Sequence, residues 1–156
     1  MKYAKQDYTY DEAVKMLNID GCMIRYIKNP TPEMCMLAVQ NNGDSIRYIE
    51  STLRTEELCI AAVSEFGLAI QHIDNPSYNV CRAAIKNDPL SLRFIDNQFE
   101  ELCVTALNTD IYALTTIKNE YFTKRICEVG LKDKWGEKYL HTYHSFLLKK
   151  FSLIIL

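Results

Sequence analysis

Residues Thr31 to Glu50 read TPEMCMLAVQNNGDSIRYIE, and the rest of the chain can be laid against them as approximate copies. With Cys35 at register zero, Ala38 and Val39 fall at +3 and +4, Gly43 at +8, Ile46 at +11 and Ile49 at +14. The same places are held by Cys59, Ala62, Val63, Gly67, Ile70 and Ile73, then by Cys81, Ala84, Ile85, Pro89, Leu92 and Ile95. A further copy runs Cys103, Ala106, Leu107, Ile111, Leu114, Ile117; an earlier one lacks the cysteine but keeps Ala13, Met16, Leu17, Gly21, Ile24 and Ile27; a sixth begins at Cys127 and diverges. The starts at 13, 35, 59, 81, 103 and 127 lie 22 or 24 residues apart. A short fixed period of this kind predicts stacked supersecondary units, a solenoid.

Each copy opens with a helix start written in side-chain chemistry. Register -4 carries Thr9, Thr31, Thr55, Ser77 and Thr123, hydroxyls suited to capping a first-turn amide, and only Phe99 departs from the series. Pro32 stands where its missing amide hydrogen is harmless, and Asp11, Glu33, Glu57 and Glu101 face the positive end of the helix dipole. The helix predicted to follow runs to about +6 and is apolar nearly all round, as in MCMLAV and LCIAAV, so neighbouring units must cover it. Gly21, Gly43 and Gly67 are read as left-handed residues ending that helix, with Pro89 starting the next element in its own copy. A short second helix over +9 to +14 turns its +11 and +14 residues inward. Asn29-Pro30, Asn75-Pro76 and Asn97 supply the linkers, where the two-residue difference in spacing is placed.

The expected architecture is therefore all-α: an α-solenoid of five to six short helical hairpins, with repeats starting near 9, 31, 55, 77, 99 and 123, within one domain over 1–156. From Trp135 onward, Tyr139, Leu140, Tyr143, Phe146, Leu147, Phe151 and Ile154 recur at helical spacing and predict a longer amphipathic helix over 135–156. Its reading is a cap on the last repeat, with a homodimer interface as the alternative.

Composition narrows function by exclusion. A formal charge of -2, with 24% charged and 48% hydrophobic residues, describes an ordinary globular chain and disfavours nonspecific nucleic-acid binding. The N-terminal stretch MKYAKQDYTYDEA has no apolar run, and the C-terminal one is too short to cross a bilayer, so no membrane partner and a cytoplasmic location are expected. Five of the six cysteines share one register, on helices whose axes pack about 8–10 Å apart, too far for disulfides, and are read as reduced core residues. No phosphate loop, nucleophile elbow or paired metal motif occurs, so no catalytic residue, cofactor or metal is assigned. His141 and His144 are read as surface residues beside the aromatic seam.

The chemical character that does repeat lies on the second helices. Register +12 carries Arg25, Arg47, Gln71, Arg93 and Thr115, and +13 carries Tyr26, Tyr48, His72, Phe94 and Thr116. Stacking would align these into a basic and an aromatic ladder, a pairing suited to protein interfaces and also to single-stranded nucleic acid or RNA. The structural alternative is that +13 fills the groove between second helices while the arginines pair with linker acids such as Glu50, Asp74 and Asp96. The partner-binding candidates are accordingly Arg25, Tyr26, Arg47, Tyr48, Gln71, His72, Arg93 and Phe94.

The segment AVQNNGDSIRYI, Ala38 to Ile49, resembles the repeat of an uncharacterised family of helical hairpins, a domain of unknown function seen in giant viruses, bacteriophages and bacteria. Ala38-Val39, Asn42-Gly43, Ile46 and Ile49 carry the likeness, Ala62-Val63 with Phe66-Gly67 carries less of it, and the copies from Cys81 and Cys103 lack the glycine. The likeness covers roughly residues 9 to 130. It implies the hairpin fold and no assigned activity. Its distribution suggests a phage or viral protein that binds a host factor, and the expected function is a non-enzymatic, protein-binding repeat scaffold.

Overall fold

The computed structural model describes residues 6–150. The fold is the all-α repeat solenoid that the period predicts: an α-helix followed by a short 3-10 helix, repeated along the chain. Among the described residues the only extended pairing is an isolated bridge between Gln6 and Ile27. The chain divides into two compact units, residues 1–88 and 89–156.

The first unit holds α1 (Tyr10–Ile19), α2 (Pro32–Asn41), α3 (Glu56–Glu65) and α4 (Tyr78–Asn87), each packed on the next. Between them lie the 3-10 helices Gly21–Tyr26, Gly43–Tyr48 and Gly67–His72, which pack on one another as a second layer. The caps are those read from the sequence. Thr9, Thr31, Thr55 and Ser77 accept from the amides of Glu12, Met34, Leu58 and Val80, and Thr9 with Glu12 completes a capping box.

The second element is 3-10 rather than α, and the register explains why. Three residues per turn place +8, +11 and +14 on one line. That line is Gly43, Ile46 and Ile49 in the second repeat, all buried. Asp20 and Asn42 cap these helices by accepting from Cys22 N and Asp44 N at 2.8 and 3.1 Å.

The glycines correct the reading given above. None has positive φ, and the left-handed residues are Asn29 and Asn75, φ 51° and 49°, in the linkers. The chain turns instead through an extended residue at +7, such as Asn42 at φ -151°, ψ 105°. Gly21 and Gly43 are needed because a Cβ there would be driven into the carbonyl oxygens of Ala38 and Ala62 on the next α-helix.

Two polar devices, neither anticipated, tie successive repeats. At +6, Asn41 donates to Asn18 O (3.1 Å) and accepts from Gly21 N (2.8 Å), and Asn87 does the same with Ser64 O (2.8 Å) and Gly67 N (2.7 Å). At -5, Arg54 donates to Ile49 O and His72 O at 2.8 and 2.5 Å. The extra 3-10 turn Ser51–Leu53 takes up the two additional residues of that linker.

The second unit holds the 3-10 helix Pro89–Phe94, α5 (Glu100–Thr109), the 3-10 helix Ile111–Thr116, α6 (Lys124–Gly130), α7 (Lys134–Tyr143) and α8 (Ser145–Lys150). Phe99 caps α5 without a side-chain bond, whereas Thr123 accepts from Ile126 N. Gln98 repeats the role of Arg54 at the same register: wholly buried, it donates to Leu92 O and Thr116 O at 2.9 and 3.0 Å and accepts from Lys118 N at 2.8 Å.

The C-terminal segment is helical, but it is a pair of helices rather than one long one. His144 leaves helical geometry at φ -130°, ψ 25°, and its buried ring stacks on Phe122 at 4.3 Å and lies 5.4 Å from Tyr139. Drawing that ring inward turns the chain between α7 and α8, so only His141 of the two histidines stays on the surface. Both helices pack on α6, burying Leu140 and Leu148 completely, and residues 151–156 of the expected helix lie outside the described part.

All six cysteines are free and buried. Burial pushes the thiols of Cys35, Cys103 and Cys127 up to about 11, which makes them poor nucleophiles at neutral pH. Cys22, on the 3-10 helix Gly21–Tyr26, is buried too, at 9% exposure.

Candidate functional site

The +12 and +13 positions sit at the C-terminal ends of the 3-10 helices, one third and two thirds of a turn from the buried isoleucine line. This geometry faces them away from the core while the backbone carrying them is pinned by the Ile pairs beneath. In the first unit it brings five of the candidates into a single network.

Tyr48 is its centre. Its hydroxyl oxygen accepts from Arg47 Nη2 at 2.6 Å and from Arg25 Nη1, one repeat earlier, at 3.4 Å. The two guanidinium carbons lie 4.7 and 5.5 Å from the Tyr48 ring centroid, and that of Arg25 is also 4.8 Å from Tyr26. Bonding to the phenol raises the ionisation of both arginines further, so they stay charged.

Asp44 extends the network and was not anticipated. Its carboxylate pairs with Arg47 Nη1 at 3.0 Å and with His72 Nε2, one repeat later, at 3.1 Å. A carboxylate only accepts, so Nε2 carries the hydrogen. The backbone oxygen of His72 in turn accepts from Arg54. Tyr26, Arg25, Tyr48, Arg47, Asp44 and His72 thus form a continuous set across three repeats, and Gln71 is exposed beside it. Arg47 is 42% exposed, while Arg25, Tyr26, Tyr48 and His72 are half-buried.

The two remaining candidates belong to the second unit. Arg93 is exposed and spends its Nε on Leu90 O of its own helix at 3.0 Å, and Phe94 is exposed beside it. For Arg47 the pairing expected with a linker acid is made within its own helix. Arg47 finds its acid three residues back on the same helix, and Asp96 pairs with Lys118 at 2.9 Å. Of the +13 residues, Tyr48 reaches the preceding repeat, accepting from Arg25 there as well as from Arg47 of its own helix.

Among the described residues no group of acidic, histidine and cysteine side chains is placed to hold a metal, and no helix is long and apolar enough to cross a membrane. A cavity of about 240 Å³ lies beside the network in the first unit, between Arg54, Cys59, Ile73, Pro76 and Val80. Glu56 and Asp74 line it as well.

Fold and face together define a helical-repeat protein. Residues 31–78 match a family described as a domain of unknown function, DUF4116. The matched stretch holds the second and third repeats, including Asp44, Arg47, Tyr48, Gln71 and His72. No curated protein and no solved structure matches the chain.

Proposed function

We propose that this chain is a non-enzymatic binding scaffold and that its partner is a protein, seated on the 3-10 layer of the first unit. The observation that carries the reading is the network from Tyr26 to His72, which holds arginine and tyrosine side chains in fixed positions across three repeats. Arginine and tyrosine dominate interface hot spots, and side chains already held in place lose less entropy on binding. Single-stranded nucleic acid or RNA is the weaker alternative. Stacking on a base needs an open ring face, and the Tyr48 ring already has guanidinium groups at 4.7 and 5.5 Å. A narrower form of the reading, resting on the family resemblance alone, is a phage or viral protein that binds and blocks a host defence factor.

The test is affinity capture from host lysate with mass spectrometry, comparing wild type with a triple variant, Arg25→Glu, Arg47→Glu, Arg93→Glu. A protein partner lost in the variant supports the reading. An unchanged partner list, or recovery of nucleic acid whose binding falls steeply with salt, overturns it.

A further inference from the structure

The donors around Tyr48 point to the chemistry of what binds there. The phenol oxygen accepts from Arg25 Nη1 and Arg47 Nη2. Its lone pairs are thereby used, so its own hydrogen must be donated elsewhere, and among the described residues nothing accepts it. Each guanidinium carries five N–H groups, more than its present partners take up: Tyr48 and Asp44 for Arg47, Tyr48 and Tyr26 for Arg25. Two charged forks and one hydroxyl hydrogen therefore converge on a single half-buried point of the 3-10 layer.

We infer that Arg25, Arg47 and Tyr48 form a clamp for a carboxylate, and that the partner offers it through an acidic segment of a protein. The inference rests on the protein-binding reading above. A carboxylate has two oxygens, and between them these can take the Tyr48 hydrogen and an N–H from each fork. Asp44 decides between a carboxylate and a phosphate. It stays 3.0 Å from Arg47, and its charge repels a phosphate dianion or a polyphosphate chain more strongly than a monoanionic carboxylate. The formal charge of -2 on the chain acts in the same direction. Partial burial of Arg25 and Tyr48 strengthens each bond relative to one made in open water.

The full chain is titrated with a hexaglutamate peptide, with hexaglutamine, inorganic phosphate and a single-stranded oligonucleotide as separate arms, following the arginine Nε–Hε resonances by NMR. Hexaglutamate is expected to shift the Arg25 and Arg47 signals while hexaglutamine does not. Tyr48→Phe, which keeps the ring and removes only the hydroxyl, is expected to weaken binding about 5–10-fold. Arg25→Gln with Arg47→Gln should abolish it, circular dichroism confirming that each variant is folded. The clamp is overturned by absent hexaglutamate binding, by equal binding of hexaglutamine, by an affinity unchanged in Tyr48→Phe, or by tighter binding of phosphate or oligonucleotide. Its failure can be told from failure of the wider reading. A captured protein lost in the arginine-to-glutamate variant, together with no hexaglutamate binding, removes the clamp and leaves the protein-binding face intact.

Discussion

Gly43 shows how a single residue is fixed by a neighbour far along the chain. Its φ is ordinary, so its freedom of backbone is not used; what it lacks is the Cβ that would strike the Ala62 carbonyl oxygen and the Phe66 backbone nitrogen. Backbone atoms cannot rotate aside, so Gly43→Ala is expected to destabilise by about 1–3 kcal/mol in urea unfolding. Gly130→Ala should cost less, because the nearest atom, 2.7 Å away, is the mobile end of the Leu140 side chain. Equal losses at the two sites would contradict this account. Some residue roles were legible in the sequence: Thr31 as a cap and Cys35 as core follow from local chemistry repeated at one register. Gly43 was legible as a glycine shared by the first three copies, with Gly21 and Gly67, but not for its reason, which belongs to another helix. Asp44 was not legible at all, since its partner His72 lies 28 positions away and the acid occurs at that register only once.

At the scale of elements, the starts of α1 to α6 and the ten-residue lengths of α1 to α5 could be read from the shared register, its caps and its apolar runs, whereas α6 stops at +3, three residues short of the expected end. The type of the second helix was present as a signal, the spacing of three from +8 to +11 to +14, yet six residues are too few for periodicity alone to separate 3-10 from α. The break at His144 carried no signal, since the aromatic spacing continues through it. What makes it is the burial of that imidazole against Phe122 and Tyr139. Burial lowers its ionisation below the ordinary 6.5, so the unfolded chain binds the proton more readily than the folded one. The associated stability is present above about pH 6.5 and is lost as pH falls below it. Thermal melts from pH 7.5 to 5.0 should therefore drop more steeply for wild type than for His144→Phe, which can keep the stack on Phe122. Parallel curves would show that the imidazole is solvated or the pair open.

Across the whole molecule, the period set the class of fold, and the division after Asp88 was not legible. It falls inside the fourth repeat, between α4 and its 3-10 helix, where Pro89 keeps the register and no linker composition marks a boundary. The proposed recognition face lies in the first unit because Arg25 bonds to Tyr48 and Asp44 to His72 there, each bridging successive repeats, whereas Thr115 and Thr116 in the second unit turn their hydroxyls to Tyr112 O and Ala113 O of their own helix. The most direct measurement of that claim is the hydrogen-exchange footprint of the complex with the captured protein partner. Exchange should slow across 21–28, 43–50 and 67–74, the 3-10 layer of the first unit, and stay unchanged on the exposed sides of α1 to α4. Slowing confined to those α-helices, with the 3-10 layer unaffected, would contradict it.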